Sequence, residues 1–271
     1  MDGTDALLDR VVEVCPLSNT TRQVLALTSG DTASIPEVAR VIATDPALAS
    51  AVLSIANSAA FGAGKVDRLE VAVMRLGLRE LHKMAAAMSV FAAFRSRAEL
   101  TLSLHDLCVA AASIAHRLAK ETQLAQTGSA FVCGLLSEIG AMACLAFDGK
   151  DYVELFQSSA ADIDLRATLE SERYGQSSFV IGRRFLERNS LPDAVCSAVG
   201  SDLSLNQERD ALGRITLLSR HTAYFARLFL ADEAAFAHST EALANRVALQ
   251  GIDGARLLTI SRTARVGDSL A

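Results

Sequence analysis

The sequence has no tryptophan, only four prolines and 5% aromatic residues over 271 positions. Proline removes a backbone donor and clashes with the preceding turn, so this scarcity leaves long helical stretches unbroken. No alternation of apolar and polar residues runs long enough to mark a strand, and no repeat recurs at a fixed spacing. None of the five cysteines (Cys15, Cys108, Cys133, Cys144 and Cys196) pairs with another in a C-x-x-C arrangement, which speaks against a zinc clip or a dithiol redox motif. Odd in number and mostly set in apolar helical patterns, they read as reduced core thiols, expected of a cytoplasmic protein. The 26 lysines and arginines are scattered and the net charge is −5, so there is no phosphate-tracking stripe and nucleic acid is not an expected partner. A P-loop, a G-x-S-x-G elbow and a glycine-rich dinucleotide turn are all missing, and no cofactor is expected.

What the chain does have is alanine and leucine, in a composition that is 51% hydrophobic, and this favours an all-α fold. Helices are expected over 6–15, ending at Pro16, over 19–27, and again from Pro36. Asp45 is placed to cap a helix with Pro46 in its first turn, and that helix ends at Asn57 and Ser58. Asp67 and Glu70 have the spacing of a capping box for a helix that Gly77 ends. A long helix over 78–94 then leads to a charged segment at 95–100, which divides the chain into subdomains 1–97 and 98–271. The second part reads as helices over 104–121, 129–147, 151–158, 163–174, 177–189 and 191–199, followed by two or three more to a loose tail. The apolar stretch 129–147 approaches the length of a membrane span, but Glu138 near its centre would cost about 2.5–3.5 kcal/mol in lipid. It is expected to be a core helix, with no membrane partner. The acidic, amphipathic beginning of the chain does not read as a signal peptide.

Three passages, taken in order, resemble the HDOD family: Pro16 with the leucine-bearing helix after it, IATDPALASAVLSIANSAAFG (42–62), and VAVMRLGLREL (71–81). Asp45, Pro46, Asn57, Ser58, Arg75 and Gly77 carry most of the likeness. Read as residues, Asp45 caps its helix, Asn57 terminates it, and Asn57 can bond across to the turn at Arg75-Leu76-Gly77. This half then serves as a rigid platform. The resemblance implies a helical bundle whose second part is related to the HD metal-dependent phosphohydrolases, so the positions that hold a metal in that group can be compared.

Such a site needs at least three converging imidazole or carboxylate ligands to bind a divalent ion and activate its water. His105 stands where the family carries a histidine. In GLLSEIG (134–140), Ser137 and Glu138 replace the His-Asp doublet. Ser178 in YGQSSFVIG and Gly200-Ser201 after the Leu191-Pro192 helix replace the remaining histidines. Serine is a poor ligand and glycine has none, so these six positions read as remnants and no metal is expected. His105-Asp106 is itself a His-Asp pair, but neighbours on a helix point about 100° apart. Glu138, set among apolar residues, needs a partner, for which Arg183 and Arg184 are at hand. His105 reads as semi-buried, and His82, His116, His221 and His238 as isolated surface or boundary residues.

The resemblance thus implies a non-catalytic signal-transduction protein that acts on a protein partner, in two-component or cyclic-dinucleotide company. The alternatives are a phosphohydrolase with a rearranged ligand set (His105, Asp106, Glu138 and a distant acid such as Asp202) and a sensor that takes a nucleotide or small molecule into the vacated pocket. The sequence does not name the partner or the oligomeric state.

Overall fold

A computed structural model describes residues 7, 19–28, 33–58, 60–61, 65–93, 99–159, 162–189, 191–201, 210–229 and 232–265. The helix expected at 6–15, apart from Leu7, lies outside them, as do Asp202 and the tail. Among the described residues every regular element is a helix, and a lone antiparallel bridge between Leu249 and Ile252 closes one turn.

The first five helices are α1 (Asn19–Thr28), α2 (Ile35–Ile42), α3 (Pro46–Ala56), α4 (Leu69–Leu76) and α5 (Leu78–Ala93), and they pack on one another. Their boundaries follow local chemistry. Asp45 Oδ1 accepts from the backbone N–H groups of Ala47 and Leu48 at 3.1 and 3.0 Å, with Pro46 in the first turn of α3. Gly77 ends α4 at φ +81°, a conformation that side chains other than glycine's resist. Between these points Asn57 does more than stop α3. Its amide donates to the Val66 carbonyl at 2.8 Å and its carbonyl accepts from the Val66 N–H at 2.7 Å, pinning both ends of the intervening loop. The expected reach of Asn57 to the turn at 75–77 is not what forms: Arg75 comes back instead, donating to the Ala56 carbonyl at 3.2 Å. The capping box also fails, because α4 starts at Leu69 with Arg68 at its N-cap and no side-chain cap bond. Asp67 therefore stands one position too early.

Asn57→Ala leaves the Val66 backbone groups without their partners and should cost about 1–3 kcal/mol. Asp45→Ala, which strips only a cap, should cost about 1 kcal/mol. Chemical denaturation of both variants checks the ranking, and a larger loss at Asp45 would contradict it.

The second group holds α6 (Glu99–Thr122), α7 (Thr127–Leu135), α8 (Ile139–Asp148), α9 (Lys150–Ser158), α10 (Ile163–Tyr174), α11 (Ser178–Arg188), α12 (Asp193–Val199), α13 (Ala211–Leu228), α14 (Glu233–Val247) and α15 (Gly254–Arg265). At its centre α6 packs along both α7 and α13, while α8 crosses α11. Small residues make these approaches close: a Cβ on Gly134 would lie 2.6 Å from the Ala112 backbone. The stretch expected as one helix over 129–147 is two, broken by the turn 136–138. The apolar run 127–148 has the length and composition of a membrane span, yet 89% of its most apolar window is buried inside the fold.

Residues 94–98, around the expected division, lie outside those described. Packing runs across that point in any case. Phe61 of the first half meets Phe131 of the second edge-on, 5.0 Å between ring centroids, and one apolar core includes residues of both.

Candidate functional site

The break between α7 and α8 sets up the site. At the turn Glu138 is the residue preceding α8, and its side chain makes no cap bond, which leaves the carboxylate to reach inward. It receives Arg166 Nη2 of α10 at 3.2 Å, with both side chains no more than 4% exposed. Of the two partners expected from sequence, Arg183 and Arg184, the first is turned away from this role. Arg183 lies on the outer face of α11 and pairs with Glu187 one turn on at 2.8 Å.

Arg166 also faces Glu170 on its own helix, 3.7 Å from Nε to Oε1. Glu170 is fully buried and has two further partners: it accepts the Tyr152 hydroxyl at 2.7 Å and the Ser178 backbone N–H, also at 2.7 Å. The second bond satisfies a donor at the start of α11, where the helix dipole favours a carboxylate. Burial first, and then the charge on Glu170, push the Tyr152 hydroxyl well above its ordinary range, so it remains a donor.

A second guanidinium closes the far side. Arg220 of α13, 2% exposed, donates to the carbonyls of Val199 at 3.1 Å, Ser201 at 2.5 Å and Ser137 at 3.4 Å. It thereby tethers the end of α12 to the turn before α8. Its guanidinium carbon lies 4.0 Å from the centroid of the Phe179 ring, and that of Arg166 lies 5.0 Å from the same ring. Each cation–π contact of this buried kind contributes up to about 2 kcal/mol.

Ser137, Glu138, Ser178, Gly200 and Ser201, far apart in the chain, are thus gathered around one charged network. Gly200 packs beneath Arg183, whose Cβ would lie 2.7 Å from an added Cβ. His105 is buried on α6, more deeply than its sequence setting suggests. One turn on, Cys108 senses both Ser137 and Glu138, and burial chiefly, then Glu138, pushes its thiol well up. Asp106 points the other way and is exposed, so the His-Asp dipeptide does not converge on one point. Among the described residues no three of His, Cys, Asp and Glu come together. The donor set therefore does not fit a divalent ion. Of the matched positions only His105 and Glu138 bear a ligand group, the Glu138 carboxylate is engaged by Arg166, and two guanidinium cations already stand against the shared Phe179 wall.

Sequence reasoning missed Arg166, Glu170, Tyr152 and Arg220. It also misplaced His221, which is 1% exposed rather than at a boundary. His82 and His116 are not isolated either: His82 Nδ1 lies 2.8 Å from Thr28 Oγ1, and His116 packs against Phe61 and Phe131. Neither ring nitrogen of His221 has a hydrogen-bond partner, and its ring lies 6.4 Å from that of Phe179. Burial, then Arg220 and Arg166, hold its pKa well below the ordinary 6.5. The unfolded chain therefore takes up a proton as pH falls through about 6.5 that the folded chain refuses, and stability is lost in that direction. His221→Leu removes this contribution. Its melting temperature should fall less than that of the unaltered protein between about pH 7.5 and 5.5, whereas an equal fall would contradict this reading.

The geometry can be set beside known proteins. The family model described as HDOD domain matches residues 14–202. A candidate phosphohydrolase from Shewanella amazonensis is similar over 98% of this chain and 98% of its own, at 23% identity and a TM-score of 0.69. An HDOD domain protein of unknown function from Geobacter sulfurreducens matches over 98% and 97%, at 17% identity and a TM-score of 0.66. A candidate signal transduction protein from Marinobacter aquaeolei matches over 98% of this chain and 62% of its own, at 19% identity and a TM-score of 0.57. At these identities the likeness establishes a shared fold and carries no chemistry with it. No curated protein sequence matches.

Proposed function

The chain belongs to the HDOD domain family, and from that premise we propose that it is a non-catalytic signal-transduction protein of the cytoplasm which acts by presenting its helical surface to a protein partner. One observation carries the reading: the pairing of Arg166 with Glu138 at 3.2 Å in the buried interior. A guanidinium there supplies, as part of the chain, the positive charge that a hydrolase of related fold takes from a metal ion. It can organise the surrounding helices in the same way. It cannot lower the pKa of a water or present one to a phosphoester, since it has no open coordination position. The similarity to a candidate signal transduction protein is in keeping with this reading, and the similarity to a candidate phosphohydrolase is the ground of the alternative that turnover tests.

Turnover tests it. With the purified chain and added Mn²⁺, Fe²⁺ or Ni²⁺, hydrolysis of bis(p-nitrophenyl) phosphate should not exceed that of the metal alone. Turnover that is saturable and lost on His105→Ala would establish a hydrolase and remove the proposal.

A further inference from the structure

The outer side of the helix pair α9 and α10 carries an open groove of about 740 Å³. Asp151, Glu154 and Leu155 of α9 line it with Leu169, Glu172 and Arg173 of α10. Resting on the reading that the chain acts on a protein partner, we infer that this groove seats a basic amphipathic helix of that partner. Its apolar stripe meets the leucines, and its lysines or arginines meet the rims.

Charge is the first ground. Residues 148–174 hold seven carboxylate side chains against three cations, on a chain whose net charge is −5. Of those cations, Arg166 is buried against Glu138 and Glu170. Arg173 is held by Asp148 and by Asp151, the latter at 2.8 Å, and Lys150 does not line the groove. Glu154 and Glu172, one on each rim, are exposed and have no hydrogen bond or ion pair among the described residues. Such a pair of rims attracts a cationic segment and repels nucleic acid and anionic lipid alike.

The floor is the second ground. The buried side of α10 is Ile163, Arg166, Ala167, Glu170 and Tyr174. Leu165, Leu169 and Glu172, spaced four and three residues apart, share the opposite side. Leu165 is 42% exposed and Leu169 half-buried, on the face where a helix ordinarily carries polar groups. Half-buried Leu155 continues the apolar strip from α9. The two sides are set by contacts already made. The Tyr152 hydroxyl meets Glu170 at 2.7 Å, and its ring lies 6.2 Å from that of Tyr174. Arg173, near the end of α10, returns to Asp151 at the start of α9, so the helices lie antiparallel. From Asp151 to Ser158 the groove follows α9 for about 10 Å, room for roughly two turns of a docked helix.

The probe is a synthetic helical peptide of leucine and lysine, with lysines on both sides of a leucine stripe. Its counterpart has glutamate at every lysine. Titrated into the whole chain, the lysine peptide should bind with a Kd below about 100 µM, and the glutamate peptide should not bind. The backbone amide resonances of Glu154, Leu155, Leu169 and Glu172 should move most. Glu154→Gln combined with Glu172→Gln, both at exposed positions, should weaken binding at least about tenfold. Leu165→Ser should weaken it without any change of charge. Asp67→Asn combined with Glu241→Gln removes two charges from exposed positions outside the groove and should leave the Kd within about twofold. No binding of the lysine peptide at about 1 mM, equal binding of both peptides, or an equal loss in the control pair would overturn the inference. So would a dimer of the chain that Glu154→Gln with Glu172→Gln dissolves, since a second copy would then be the occupant. Turnover is measured separately, so these failures leave the non-catalytic reading to stand or fall by that assay.

Discussion

Arg166→Met should lower the stability of the chain by about 3–5 kcal/mol. The substitution keeps most of the side chain's bulk but removes the cation between Glu138 and Glu170, which are 4% and 0% exposed. Two carboxylates then face each other in the interior with no positive charge between them, and burying a charge without a partner costs far more than a pair contributes. Glu170 keeps its bonds from Tyr152 and the Ser178 N–H, so the strain falls first on Glu138. For that reason Glu138→Gln in the same chain should return part of the loss, with a coupling of about 1–3 kcal/mol in a double-mutant cycle. Denaturant melts of the two single variants and the double variant supply the four corners. Strict additivity would show that the 3.2 Å contact carries no energy.

Gly140→Ala should be as damaging through a different cause. An added Cβ would stand 1.7 Å from the Ser178 carbonyl oxygen and 2.7 Å from the Gly182 nitrogen. Both are backbone atoms, so no rotamer change relieves the clash and α8 must move off α11. The movement would also pull the Ser178 N–H away from Glu170. A loss of at least about 3 kcal/mol, or failure to fold, is expected. Gly128→Ala is the matched control. Its Cβ would meet Glu80 Oε2, the far end of a flexible side chain rather than backbone, so a smaller loss, of about 1 kcal/mol, is expected. Equal melting temperatures for the two alanine variants would show that the α8–α11 approach is not as tight as described.

The helical plan was legible because its punctuation is local. Asp162 accepts from the Leu165 N–H and Gly175 ends the same helix in the left-handed region, so α10 can be bounded from its flanking residues. The α7–α8 break was not legible. Leucine and isoleucine flank Ser137 and Glu138, and a run that is apolar all round has no periodicity to interrupt. The positions derived from the resemblance do gather around one interior network, but the residues that fill it were missed for a physical reason. Arg166, Glu170 and Arg220 are charged, and a charged residue in an amphipathic helix ordinarily marks the solvent face. What buries them is mutual pairing: Arg166 meets a carboxylate 28 positions away and Arg220 a carbonyl 83 positions away. No window along the chain spans such distances. His221 was misjudged on the same ground, since its neighbours Arg220 and Thr222 look polar in sequence and are both buried.

The reading therefore rests on a cation built into the chain where a metal would otherwise be sought. Elemental mass spectrometry of the whole protein, purified without chelator, tests this most directly. The account predicts that manganese, iron, nickel and zinc together stay far below one equivalent, while the chain melts in a single cooperative transition. Close to one equivalent of any of them, lost on His105→Ala or Glu138→Gln, would contradict it and place a metal centre where Arg166 now stands.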